Sequence, residues 1–399
     1  MPAIHTPLSL TFKRFFDSEK SGGILLILCT LVSPGLANSA FGTSYLHFWH
    51  RQVGGMSIEH WVNDGLMAIF FLFIGLELER ELYSGELSDL RNALLPIFAA
   101  AGGIAVPALI HFSLNAGTPT QPGMGIPMAT DIAFALGVLA LLGNRVPASL
   151  KVFLTALAVM DDLGAIIVIA VFYTAELSAP YLLAALAVFG MLLAMNRLLR
   201  VMALLPYLAG GALMWYLMLK SGVHATIAGV LLAFAIPYSS TQDDEASPSH
   251  KLEHFLHKPA AFLVLPVFAL ANTGIAISPD WAQALGSTNS LGILAGLVAG
   301  KPLGITLLAF VAVALGICRL PPDLGWKHVL GAGLLGGIGF TMSIFITNLA
   351  FVGANAVIDA SKMAILLASL SAGTLGFTWL RLTGQPGASH PDPAPPSSR

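Results

Sequence analysis

Ala158-Val159-Met160-Asp161-Asp162-Leu163-Gly164-Ala165 sets two adjacent acidic residues in a run that is otherwise apolar from Val152 to Tyr173, apart from Thr155. A run of that length suffices to cross a bilayer, which takes roughly 20 helical residues. A charged side chain near the middle of a span costs about 2.5–3.5 kcal/mol on insertion scales. Two side by side cost more, because like charges resist being ionised together. Neither helps a core to pack. Two carboxylates in mid-span therefore imply a cavity that holds water or ions. The competing reading is a structural pair neutralised by a buried base.

Composition points the same way. The 399 residues are 56% hydrophobic and 10% charged, with a mean hydropathy of +0.80. Soluble domains carry roughly 25% charged residues. No long polar segment interrupts the apolar runs, so one membrane domain is expected over residues 21–382, with an N-terminal segment 1–20 and a Pro/Ser/Ala-rich disordered tail 383–399. A net charge of −2, with no basic tract and no zinc-finger spacing, gives no case for nucleic acid. Cys29 and Cys318 lie in or at the end of apolar runs, so a disulfide framework is not expected. The stretch from Lys13 to Ala40 has the outline of a signal peptide; a retained first span fits a chain with so many later ones.

Read in order, the apolar runs give about twelve spans, an all-α polytopic membrane protein. Residues 34–57 read as a Gly/Ser-rich loop. The eighth span is expected at about 222–237 and the twelfth at about 362–380. The fourth contains Pro127-Met128-Ala129-Thr130-Asp131. Proline removes a backbone donor, and in lipid such a break is tolerated only where it is buried in protein or lines a cavity. The eleventh is rich in glycine (Gly331, Gly333, Gly336, Gly337, Gly339) before Thr341 and Ser343, which permits unwinding or close packing. Interrupted segments at corresponding places mark the binding site of inverted-repeat transporters; spans three to five would match ten to twelve. Most Lys and Arg fall in loops on the N-terminal side, so both termini are expected in the cytoplasm.

Four ionisable residues lie deep in the spans: Asp131, Asp161, Asp162 and Lys301. Asp161 and Asp162 project about 100° apart on a helix, so one can face an ion cavity while the other meets a base. Lys301 is the one mid-span base in this reading and the natural partner. Thr130, Asp131 and unwound carbonyls offer oxygen ligands, which suit Na⁺, Li⁺ or H⁺ better than a transition metal.

The sequence resembles the NhaA-type sodium/proton antiporters. The matching stretches are Asn63-Asp64-Gly65-Leu66-Met67-Ala68, Gly75-Leu76-Glu77, Ala129-Thr130-Asp131 through Gly137, and Asp161-Asp162-Leu163-Gly164-Ala165. Lys220-Ser221-Gly222-Val223-His224-Ala225-Thr226, Leu252-Glu253-His254, Gly300-Lys301-Pro302-Leu303-Gly304 and Gly337 through Ser343 follow in order, over about residues 21–382. These proteins are among the examples behind the inverted-repeat rule, so that rule is no independent support.

The resemblance implies two interrupted, crossing helices, the fourth and eleventh. It implies no enzyme and no cofactor, but exchange of cytoplasmic Na⁺ or Li⁺ for external H⁺. Asp161 and Asp162 would bind the ion and protons, with Asp162 the stronger candidate for Na⁺ contact. Lys301 would bridge to the pair, foremost to Asp161. Thr130 and Asp131 would sit at the crossing, Asp131 offsetting helix N-termini and Lys301 C-termini. Glu77, Arg80, Glu81, Glu253, His254 and His257 would form a cytoplasmic cluster setting the pH response. On the residues alone, His254 and His257 share a helix face, and a solvated pair is the commoner case.

The chain also departs from the family pattern. It has Glu79 where a lysine is familiar, and its 241–245 loop is acidic. Both make the cytoplasmic mouth more negative. The 34–57 segment is short for the external β-hairpin through which members form homodimers. Rival readings are a passive cation channel and a sodium-coupled symporter for an organic solute, which would need a larger polar pocket. An intramembrane aspartyl protease needs its aspartates on separate helices in a Gly-x-Gly-Asp setting, which the chain lacks.

Overall fold

The computed structural model describes residues 7–173, 177–238, 247–277 and 279–384; side chains are described from residue 21 on, except at 86, 90 and 91. The acidic stretch at 241–245 and the tail from 385 lie outside the described residues. Among the described residues, eight helices are long and apolar enough to cross a membrane, and up to ten if each of two bent pairs is one span. Large apolar side chains such as Leu205, Leu303 and Leu370 are exposed on the helix surfaces, as lipid contact requires. The seventh (Leu204–Ser221) and eighth segments are not among the ten. The eighth is helical only over Ile227–Ala235, because left-handed Gly222 ends the helix before it and a turn follows. About 13 Å of helix cannot cross alone.

Several boundaries move. The first helix runs Pro7–Ala37 and passes through Pro34, where the missing donor falls in the last turns. Segment 34–57 is no plain loop. The chain turns by 112° into Gly42–His50 and then makes a minimal hairpin with strands of two residues each. Gln52 pairs with Ser57 and Val53 with Met56. Gly54 and Gly55 take φ of +62° and +89°, the two left-handed positions of a tight hairpin turn. The twelfth helix begins at Asn355, so Lys362 lies inside it and is buried. Lys301 is therefore not the one lysine held within the spans. Three single-turn π segments, at Trp61–Leu66, Ala260–Val264 and Gly296–Gly300, widen spans two, nine and ten; no sequence signal marked them.

The spans pack in two groups. The third lies along the tenth and the fifth, the tenth against the eleventh, and the eleventh against the twelfth. The second lies along the eighth, the sixth along the seventh, and the first along the ninth. The third and tenth meet backbone to backbone. A Cβ on Gly102 would strike the Gly304 carbonyl oxygen, and one on Gly304 would strike that of Gly102. This reciprocity is what a two-fold relation between two repeats produces. Gly102→Ala is accordingly expected to lower stability by about 1–3 kcal/mol, since backbone cannot yield as a side chain can. Gly35, which has open space around its Cβ position, is the control. Equal melting temperatures in detergent for Gly102→Ala and Gly35→Ala would contradict the close approach.

Candidate functional site

The fourth span is a 3-10 segment, Gln121–Met128, then an extended break, then the helix Ile132–Leu141. The eleventh is Trp326–Gly336 and Phe340–Ala350, bent by 47°. The two breaks touch. Asp131 N–H donates to the Ile338 carbonyl at 2.6 Å, and Ser343 Oγ donates to the Ile126 carbonyl at 2.7 Å. Each break frees backbone groups that water cannot reach, and each satisfies part of the other's demand.

Asp131 joins the two second halves. Its Oδ1 accepts from Phe134 N–H at 3.0 Å, capping the helix that it begins. Its Oδ2 accepts from Thr341 N–H at 3.0 Å and from Thr341 Oγ1 at 2.6 Å. One carboxylate thus sits at two helix N-termini, where the aligned peptide dipoles favour negative charge.

The fifth helix, Ala148–Phe172, passes the crossing unbroken. Asp161 and Asp162 are buried within it, at 0% and 1% exposure. Asp161 Oδ2 is ion-paired with Lys301 Nζ of the tenth span. Thr130 Oγ1 lies 2.6 Å from that oxygen and 2.9 Å from the Gly336 carbonyl, so its single proton serves one of them at a time. Asp162 projects elsewhere. Neither Asp161 Oδ1 nor Asp162 Oδ1 has a hydrogen-bond partner among the described residues. A buried polar atom is normally partnered. Each of these two orphaned carboxylate oxygens has the chemistry to accept a proton or a hard cation.

A second charged group lies at the bundle end opposite the hairpin. Arg80 Nη2 is 3.3 Å from Glu81 Oε1 and 3.7 Å from Glu77 Oε1. Its Nε is 3.0 Å from Glu253 Oε1, at ion-pair distance, although the N–H is not aligned for a hydrogen bond. Glu79, buried on the same helix, accepts from Ser249 Oγ at 3.0 Å; sequence alone gave no reason to join those two. The histidines separate. His257 stacks edge-on against Phe73 at 5.9 Å and lines a cavity of about 50 Å³ with Glu77, whereas His254 is exposed. His224 contacts the Tyr173 carbonyl at 2.7 Å.

The structure thus brings Thr130, Asp131, Asp161 and Lys301 into one buried crossing and leaves Glu77, Arg80, Glu81, Glu253 and His257 in a separate group. The Gly336 and Ile338 carbonyls at the crossing are backbone atoms that no residue-type pattern could single out.

This is an all-α polytopic membrane protein built around two interrupted helices that cross beside buried carboxylates. The chain belongs to the Na+/H+ antiporter 1 family, whose model matches residues 13–380. A relative from Dechloromonas aromatica (strain RCB), named Na(+)/H(+) antiporter NhaA, is 73% identical over 380 residues, 95% of this chain and 98% of that one. One of the same name from Flavobacterium psychrophilum is 60% identical, over 93% of this chain and 95% of its own length. One from Pseudomonas syringae pv. syringae, named Na(+)/H(+) antiporter NhaA 2, is 49% identical over 97% and 99%.

Proposed function

We propose that this protein is a secondary active antiporter of the bacterial inner membrane, with both termini cytoplasmic. It exchanges cytoplasmic Na⁺ or Li⁺ for external H⁺ at Asp161 and Asp162. The observation that carries the reading is the buried Asp162 carboxylate, with an orphaned Oδ1 beside the Asp161–Lys301 pair. Na⁺ is the substrate, and its oxygen donors come from the aspartates, with Thr130 and freed carbonyls close by. The relatives' printed names point to the same exchange.

Protons and cation compete for one donor set. In the ion-free state Lys301 holds Asp161 and a proton holds Asp162. Rising cytoplasmic pH empties the carboxylates, which titrate as a unit, and Na⁺ takes their place. The loaded site then faces outward, where external protons displace the cation. If two protons move for each Na⁺, one from Asp162 and one from the Asp161–Lys301 pair, net charge crosses and the membrane potential helps expel Na⁺. Asp131 offsets the helix N-termini throughout. The cluster of Glu77, Arg80, Glu81, Glu253 and His257, with exposed His254 at its rim, sets the pH at which exchange begins. A homodimer through the Gln52–Ser57 hairpin belongs to the same reading.

Inverted membrane vesicles with a respiration-driven pH gradient test the proposal. Na⁺ and Li⁺, but not K⁺, are expected to collapse the gradient, increasingly at alkaline pH. No response to Na⁺ at any pH would overturn it.

Glu79 gives a finer expectation. A lysine there replaces a carboxylate with a cation, which favours the ionised form of nearby carboxylates. The exchange-against-pH profile of Glu79→Lys should therefore shift toward lower pH. No shift would exclude Glu79 from the pH-setting group, and a shift toward higher pH would contradict the electrostatic account of it.

A further inference from the structure

The seam between the two groups of spans is closed very differently at its two ends. At the end with Glu77 and His257 it holds the small cavity already described, between spans one, two, four and nine. At the hairpin end two layers close it. Along the eleventh span, Phe345 lies about one turn past Thr341 and Asn348 about one turn further. Phe345 packs on Phe71 of the second span, with ring centroids 5.4 Å apart, and both rings are buried. Beyond them three asparagines from three spans join. Asn348 Nδ2 donates to Asn272 Oδ1 at 2.7 Å. Asn272 Nδ2 donates to Asn63 Oδ1 at 2.8 Å and to the Phe268 carbonyl at 3.0 Å. Asn272 is 1% exposed. Asn63 and Asn272 belong to the second and ninth spans, Asn348 to the eleventh, so the Asn272–Asn348 bond crosses the seam.

A neutral amide bond suits a contact that must form and break in each cycle. Its net contribution is small, because separated amides are solvated by water instead. A buried ion pair on the seam would hold one state too firmly, since parting it leaves uncompensated charge. We propose that Asn272 and Asn348 form the external latch of the transport cycle. They position the eleventh span against the ninth while the site faces the cytoplasm, and they part when it faces outward, with Phe71 and Phe345 as the dry seal beneath. This rests on the antiporter reading and on its orientation.

The test uses the full chain with Cys29→Ser and Cys318→Ser, carrying Asn272→Cys and Asn348→Cys, in proteoliposomes. A short bifunctional methanethiosulfonate reagent spans the two thiols. Cross-linking is expected to cut Na⁺/H⁺ exchange to about a tenth or less, and reduction to restore it. Full exchange by the cross-linked protein would overturn the latch while leaving the antiporter reading intact. Absence of Na⁺-driven proton movement in the wild type would overturn both.

Where the double-cysteine protein fails to fold or transport, Asn348→Leu decides. Losing one amide bond shifts the two facing states by about threefold to tenfold. The apparent KM for Na⁺ should rise at the cytoplasmic face and fall at the external face, and Asn348→Gln should restore both in part. Equal changes at the two faces, or lower Vmax alone, would mark a merely structural residue and overturn the proposal.

Discussion

Asp162→Asn is expected to lower Na⁺-dependent exchange by about 100-fold or more while leaving the fold in place. The side chains match in shape, and Asp162 Oδ1 makes no hydrogen bond that the amide would break. What is lost is charge. A buried interaction with an ionised group contributes up to about 3 kcal/mol, roughly 100-fold in affinity, and a neutral amide has no carboxyl proton to exchange. Li⁺ exchange should fall alongside, because both cations need the same oxygen. Initial rates of gradient collapse, paired with melting temperatures in detergent, check this. A stable variant exchanging Na⁺ at near wild-type rates would remove Asp162 from the ion path.

Lys301→Ala should give the largest loss of stability. Lys301 and Asp161 are both 0% exposed and face each other across the fifth and tenth spans. Removing one partner of a buried pair leaves the other charge uncompensated, which costs about 3–5 kcal/mol. Replacing both partners at once, Lys301→Met with Asp161→Asn, should recover much of that loss, since an apolar or neutral pair is often tolerated there. A thermodynamic cycle over the two single variants and the double isolates the coupling. Additive losses with no recovery would mean that the pair is not what holds the two spans together. The double variant should regain stability without exchange activity, which would separate what Asp161 does for the fold from what it does at the proposed site.

The carboxylates were legible because charge inside an apolar run stands out against the cost of its burial. The broken helices were legible from Pro127 and from the glycines at 336, 337 and 339. What stayed hidden was pairing across long sequence separations. Glu79 and Ser249 sit 170 residues apart, and Asn63 and Asn272 sit 209 apart; each alone reads as an ordinary polar residue. The hairpin at Gln52–Ser57 was missed because strands of two residues carry no alternation to detect. The eighth helix is shorter than its run because left-handed Gly222 and the turn over residues 223–226 are not marked by hydropathy. The start of the twelfth helix, Asn355 to Ala360, has a mixed composition that hides it from an apolar-run reading, so Lys362 falls inside the helix rather than at the edge of its span.

The central claim is that cation and protons exchange at one carboxylate site. Purified protein in proteoliposomes, with internal Na⁺ and internal pH followed together under a clamped membrane potential, tests it most directly. An outward Na⁺ gradient should drive protons inward, with a rate that responds to the potential and vanishes in Asp162→Asn. Na⁺ flux without opposing proton flux, or flux unchanged in that variant, would contradict the account and point to a channel or a symporter.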